Sequence, residues 1–186
     1  MRGGEVKRVP DVCVIMAGGR GTRLSNPDKA LIRIGGRTLL EWKVSHLRRL
    51  APVVVCCSLH AARTVAYCIR KGYRVYLAPG RGYPEDLSLL LRRLKGLSVL
   101  VVGVDLYIPT AALDLLISSE DGGECITEAT YRGQNVPLAL FCRERSDGEE
   151  GYSEVPLDTF DMANINTPHD LEEARRLWSR HRSGYM

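Results

Sequence analysis

Several things are missing from this 186-residue chain, and each absence removes a class of function. No apolar stretch approaches the ~20 residues a membrane span requires. The opening MRGGEVKRVPD has no apolar core of a signal peptide, so the chain is expected in the cytoplasm. The net charge is +4, yet no dense basic block or aromatic-basic stripe occurs. That argues against nucleic acid as a partner and suits a small anionic ligand. The six cysteines include no C-x-x-C pair and have no histidine at zinc spacing. Cys13, Cys56, Cys57 and Cys142 lie in apolar runs and read as small buried hydrophobes, with a bridge left open. His46, His60, His169 and His181 lack ligand partners at useful spacing and read as surface or structural residues. Neither a Ser-His nor a His-carboxylate constellation is evident. Glutamine occurs once and lysine five times against twenty-one arginines, a thermophile-like bias.

What is present alternates. DVCVIMA, VVVCCS, YRVYLA and SVLVVGV are apolar, mostly β-branched runs that read as buried strands. Between them lie helix-period segments. TLLEWKVSHLRRL carries a Thr38–Glu41 capping box and places Leu40, Val44 and Leu47 on one face. HAARTVAYCIRKG places Ala62, Val65, Ala66 and Ile69 together and stops at Gly72. After the loop PGRGY, Leu87, Leu90, Leu91 and Leu94 form a face, with Pro84, Glu85 and Asp86 in the first turn. TAALDLLIS reads as a short helix, and ECITEATY and VPLALFC as later strands. Residues 143–156, RERSDGEEGYSEVP, read as an exposed mobile loop. The last helix opens at NTPHDL, with Thr167 as cap, Pro168 first and Asp170 three residues past the cap. Trp42 and Trp178 read as packing residues of sheet-covering helices. The expectation is one α/β domain over residues 1–186: a three-layer sandwich with a Rossmann-like, mainly parallel sheet and helices on both faces.

The first strand runs into VIMAGGRGTRLSNPDKALI. Ligands of open α/β sheets bind beyond the carboxyl ends of the strands, so Gly18, Gly19 and Gly21 arrive at that crevice. Glycine lets backbone N–H groups approach phosphate oxygens, and Arg20, Arg23 and Lys29 add full positive charge nearby. A triphosphate needs such a set of donors and cations. Other glycine-rich motifs fit poorly: no Lys-Ser or Lys-Thr follows as in a P-loop, and a dinucleotide fingerprint starting at Gly19 would end on Leu24.

The pattern MAGGRGTRL…DKALI resembles the signature L-A-G-G-x-G-[ST]-R-[ML]…K of the nucleoside-triphosphate transferase superfamily. The resemblance extends to VDL at residues 104–106 and NINTPHDL at 164–171, covering about Asp11 to Leu177. NINTP is shared with molybdenum cofactor guanylyltransferases. GRGYPEDL, Gly80 to Leu87, is similar to the G-x-G-Y-x-E-D-L segment of archaeal GTP:adenosylcobinamide-phosphate guanylyltransferases, and the G-P-L-A-G segment usual in the molybdenum branch is absent.

The resemblance implies transfer of GMP from GTP to a phosphorylated corrinoid acceptor, with release of pyrophosphate. It implies a nucleotide site of Ala17, Gly18, Gly19, Arg20, Gly21, Thr22, Arg23 and Lys29, together with Gly80, Gly82, Tyr83, Asp86 and Asp105. Arg23, Lys29 and Asp105 would be catalytic. Asp105, with Asn166 ahead of Asn164, would hold Mg²⁺, a single carboxylate serving a hard cation. Read without the resemblance, Asp105 is a strand-end aspartate and the asparagines precede a helix cap. Two readings of Asp86 stand side by side: acceptor for the guanine N1 and N2 edge, or an acid favoured at a helix N-terminus. Tyr83 is a candidate to stack on the base, residues 143–156 and the strands before them are the expected acceptor platform, and a homodimer is plausible.

Overall fold

The computed structural model describes residues 9–19, 21, 24, 26–119, 126–142 and 151–181. In chain order the elements are β1 (Val12–Met16), β2 (Arg33–Ile34), β3 (Arg37–Thr38), α1 (Leu39–Leu47), β4 (Val53–Ser58), α2 (Ala62–Lys71), β5 (Arg74–Ala78) and α3 (Tyr83–Arg93). Then follow β6 (Val99–Gly103), β7 (Leu106–Tyr107), α4 (Thr110–Ser118), β8 (Ile126–Tyr131), β9 (Gln134–Phe141), β10 (Tyr152–Pro156), β11 (Ala163–Asn164) and α5 (Pro168–His181). No helix among the described residues is long and apolar enough to cross a membrane.

Seven strands form one sheet in the order β10-β8-β9-β6-β1-β4-β5. Only β9 runs against the others: it is antiparallel to β6 and β8, while β10 lies parallel to β8. Along β1, Cys13 and Ile15 face one core, and Val12, Val14 and Met16 face the other. The two-residue alternation of a strand thus feeds both faces, as a central parallel strand must. The larger core gathers residues of α1, α2, α4 and α5; the smaller one is closed by Leu87 and Leu90 of α3. The expected three-layer α/β arrangement is therefore the one observed.

Local chemistry explains most of the boundaries. Thr38 Oγ1 accepts from Glu41 N at 3.0 Å while Glu41 Oε2 accepts from Thr38 N at 2.9 Å, the anticipated reciprocal box. Gly72 ends α2 at φ 68°, a left-handed cap. Thr167 and Asp170 exchange side-chain and backbone bonds at the start of α5.

Two expectations are corrected. On α2, Ala62, Ala66 and Ile69 face solvent, Ile69 at 69 % exposure, and the helix buries Thr64, Tyr67 and Cys68 instead. The reason is tertiary: the Asp28 carboxylate takes both the amide and the hydroxyl of Thr64, and Tyr67 donates its hydroxyl to Glu41. Within the stretch read as a loop, Tyr152–Pro156 is an edge strand; residues 143–150 lie outside the described ones. Both tryptophans brace the β2–β3 hairpin, and Trp178 also packs against the larger core as anticipated. Trp42 donates to Ile34 O at 2.9 Å, and Trp178 lies so close to Gly35 that a Cβ there would fall 2.2 Å from its ring. Among the described cysteines none is disulfide-bonded, and Cys13, Cys56, Cys57 and Cys68 are buried; Cys125 lies outside the described residues.

Candidate functional site

A cavity of about 510 Å³ opens beyond the carboxyl ends of β1, β4 and β6, within the range of small-molecule sites. It is lined by Met16 and Gly103, the last residues of β1 and β6, and by Cys56, two residues before the end of β4. Here the chain leaves β1 for β4 on one side and returns to β6 on the other, the switch point at which an α/β sheet holds its ligand.

One wall is the glycine loop. Ala17 N donates to Cys56 O at 2.8 Å, and Ser58 Oγ donates to Gly18 O at 2.5 Å, so the loop lies directly on the end of β4. A Cβ on Gly18 would come within 2.9 Å of Ser58 N, a backbone atom that cannot move aside. Gly18 and Gly19 line the cavity. Gly21, at φ 61°, turns the chain behind the wall and accepts from Leu24 N and Asn26 N. Arg20, Thr22 and Arg23 lie outside the described residues.

Lys29 reaches the cavity from a single 3₁₀ turn, Lys29–Leu31, whose preceding residue is held on α2 through Thr64. Its Nζ pairs directly with Asp105 Oδ2 across the cavity, both side chains being less than one-fifth exposed. Asp105 follows β6 and borders the pair β7–β11, in which Asn164 lies opposite Leu106 and Ile165 N donates to Asp105 O at 2.9 Å. The Asn164 Oδ1 is buried with no hydrogen-bond partner. Asn166 stands two residues on, its amide donating to Asp170 at 2.9 Å, and it does not line the cavity.

A second wall is the β5–α3 connection: Gly80, Arg81, Gly82, Tyr83 and Asp86. Asp86, 5 % exposed, accepts from Gly80 N at 3.1 Å and Arg81 N at 3.3 Å through one oxygen, so it shapes this loop as well as facing the cavity. The exposed His60 holds the same loop through Gly80 O at 3.2 Å, a structural role as anticipated. Tyr83 presents part of its ring to solvent, while burial of its hydroxyl end, then the Asp105 and Glu128 carboxylates, push its pKa up to about 12. Its phenol remains a neutral donor at any working pH.

The structure thus brings together nine of the residues anticipated from the sequence, Ala17, Gly18, Gly19, Lys29, Gly80, Gly82, Tyr83, Asp86 and Asp105, and leaves Gly21 and Asn166 off the wall. It adds Met16, Cys56, Arg81, Gly103 and Pro137. Gly103 had a readable signal, a glycine breaking the apolar run before Asp105; Pro137 is brought in by β9 and had none. Beneath the cavity, Lys43 of α1 is 1 % exposed and donates through Nζ to Leu106 O. Burial lowers its pKa to about 7, with the Asp105 carboxylate pulling it back upward.

Among the described residues no cluster of three or more His, Cys, Asp or Glu could hold a metal. What stands there is the single carboxylate of Asp105, a hard oxygen donor. It suits a divalent cation that retains waters and takes its remaining ligands from substrate phosphates, as Mg²⁺ does.

The model of the MobA-like NTP transferase domain matches residues 13–153. The chain belongs to that family. An adenosylcobinamide-phosphate guanylyltransferase of Methanocaldococcus jannaschii is 35 % identical over 83 residues. The match takes in 40 % of this chain and 42 % of that protein, so the chain spans about two fifths of its relative's length. Molybdopterin-guanine dinucleotide biosynthesis protein A from Archaeoglobus fulgidus superposes with a TM-score of 0.68 at 19 % identity, over 91 % of this chain and 99 % of that one. The Rv0371C–manganese complex from Mycobacterium tuberculosis gives 0.65 at 16 % identity, over 90 % and 98 %. The chain has the α/β fold of these neighbours.

Proposed function

We propose that this nucleotidyltransferase moves GMP from GTP to adenosylcobinamide phosphate, forming adenosylcobinamide-GDP and pyrophosphate in cobalamin biosynthesis. The observation that carries the reading is the placement of GRGYPEDL. This segment resembles one found in cobinamide guanylyltransferases, and Gly80 to Tyr83 with Asp86 line the same cavity as the glycine loop. The Methanocaldococcus relative, named for the same reaction, supports it.

The chemistry asks little of the protein in proton transfer. A phosphate monoester has a second pKa near ~6, so near neutral pH the acceptor is largely dianionic and needs no general base. One of its oxygens attacks the α-phosphorus of GTP in line with the bond to the β-phosphate. That bond breaks, and its electron pair leaves on pyrophosphate. Catalysis then rests on alignment and on neutralising charge at the leaving group. The amides of residues 18–22 hold the β- and γ-phosphates. Lys29 turns from Asp105 to the phosphates, where it and Arg23 meet the charge that develops as the bond breaks. Asp105 and Asn166 would hold Mg²⁺, which when bound supplies further neutralisation at the phosphates. Tyr83 stacks on the base, and the Asp86 oxygen not engaged by the loop accepts from the guanine edge.

The alternative acceptor is molybdopterin, favoured by the NINTP ending at residues 164–168. An acceptor screen decides. The protein is incubated with each α-labelled nucleoside triphosphate and each candidate acceptor while pyrophosphate is followed. Turnover of GTP with adenosylcobinamide phosphate is expected. Turnover with molybdopterin and none with the cobinamide would transfer the assignment to the alternative.

A further inference from the structure

We propose that Lys43 is a positioning residue for nucleotidyl transfer: it grips the Leu106 carbonyl from beneath and thereby fixes Asp105 and the β7–β11 pair while Lys29 leaves for the phosphates. The inference rests on Asp105 working in the cavity and is independent of which acceptor is used.

The geometry runs as follows. In the β7–β11 pair, Ile165 N donates to Asp105 O, and Leu106 faces Asn164 across the ladder. In an antiparallel pair successive carbonyls point to opposite edges. With the Asp105 carbonyl taken by β11, the Leu106 carbonyl points away from it, and Leu106 is 1 % exposed, so water does not supply a donor. Lys43 Nζ does. A buried carbonyl left without a donor would pull its peptide plane toward another partner, and the residue before that carbonyl is Asp105.

Satisfying one carbonyl does not call for a charge. An ammonium at a fully buried position is costly, and apolar or neutral side chains of similar volume are commonly more stable. The charge makes sense in relation to Asp105. In the structure that carboxylate is paired with Lys29, which is partly exposed and able to move. Once Lys29 turns to the phosphates, the Lys43 amine, whose charged form the Asp105 carboxylate favours, cannot leave and keeps the Asp105 backbone in register through Leu106. Lys43 is sealed between α1 and β7, with Leu40, Val44 and Leu106 in the same core. One lysine is partly exposed and one is sealed, and the Asp105 carboxylate acts on both.

The test is Lys43→Met, alone and in combination with Asp105→Asn. The single variant is expected to fold with a modestly lowered melting temperature, because relief of the buried charge is offset by a Leu106 carbonyl left without a donor. Its kcat is expected to fall about 10- to 100-fold with KM for the nucleotide little changed, the loss typical of a misplaced catalytic group. The gain in GTP affinity on adding Mg²⁺, measured by titration calorimetry against an EDTA control, should shrink about tenfold, as for other residues that orient metal ligands. On the Asp105→Asn background the same change should alter kcat by no more than about twofold, since the two act as one unit. Should Lys43→Met fail to fold, Lys43→Gln, which retains a donor without the charge, carries the same measurements. An unchanged kcat and Mg²⁺ effect, or losses that multiply in the double variant, would overturn the proposal. Failure of the parent to bind GTP strikes the function proposed above instead, and the variants are then compared with the nucleotide the parent does bind.

Discussion

At the scale of single residues, the cavity is shaped as much by missing side chains as by present ones. Gly103 is the clearest case. A Cβ there would fall 2.6 Å from Pro137 Cγ and 2.7 Å from Asp105 Oδ1. No positive φ requires glycine at this position; the restriction is space alone. Gly103→Ala is therefore expected to displace the Asp105 carboxylate and lower kcat by about 10²-fold, with about 1–3 kcal/mol lost from stability through overpacking. Steady-state kinetics beside urea unfolding read both effects, and normal activity in a stable variant would show that the carboxylate's place is not critical. The sequence carried the types of these residues well. The glycines, Lys29, Asp105 and the Gly80–Asp86 wall could be named because their chemistry is unusual for their positions. Lys43 could not, because a lysine at helical period on an amphipathic segment looks like any solvated one.

At the scale of elements, α1 is held by groups that titrate. The backbone bond from Thr38, the Tyr67 hydroxyl and Lys71 lower the Glu41 pKa from its ordinary 4.5 to about 2, against the opposing effect of burial. Because the folded value lies below the unfolded one, the unfolded chain binds the proton more readily. The stabilisation is fully present above about pH 4.5 and is lost as the pH falls through the folded value near 2. With partial screening by solvent it amounts to roughly 1–2 kcal/mol. Glu41→Gln keeps the capping bonds and removes the titration, so its unfolding midpoint is expected to fall less steeply than the parent's over that acid range. Parallel acid limbs in denaturant titrations of the two proteins would contradict this. The capping box itself was legible because it is local, four residues exchanging two bonds. The buried face of α2 was not, because its anchors, Asp28 and Glu41, are 36 and 26 residues away in sequence from Thr64 and Tyr67. β10 was missed for a related reason. An edge strand with one wet face alternates Tyr152, Ser153, Glu154, Val155 and Pro156, and only Val155 of these is buried.

At the scale of the whole molecule, a parallel core of β6, β1, β4 and β5 places three strand ends and two connecting loops around one cavity. This arrangement could be anticipated, since apolar strands alternating with helices leave few ways to cover both faces of a sheet. The antiparallel β9, which brings Pro137 to the rim, and the direct Lys29–Asp105 pair needed the folded chain to be seen. The central claim is that the end of β1 cradles a triphosphate and that this pair opens to receive it. The most direct measurement is a crystal structure with Mg²⁺ and a GTP analogue that cannot be cleaved at the α-phosphate. The account predicts the β- and γ-phosphates on the amides of the glycine loop, Lys29 turned from Asp105 onto them, and the base against Tyr83. A triphosphate bound elsewhere, with Lys29 and Asp105 still joined, would contradict it.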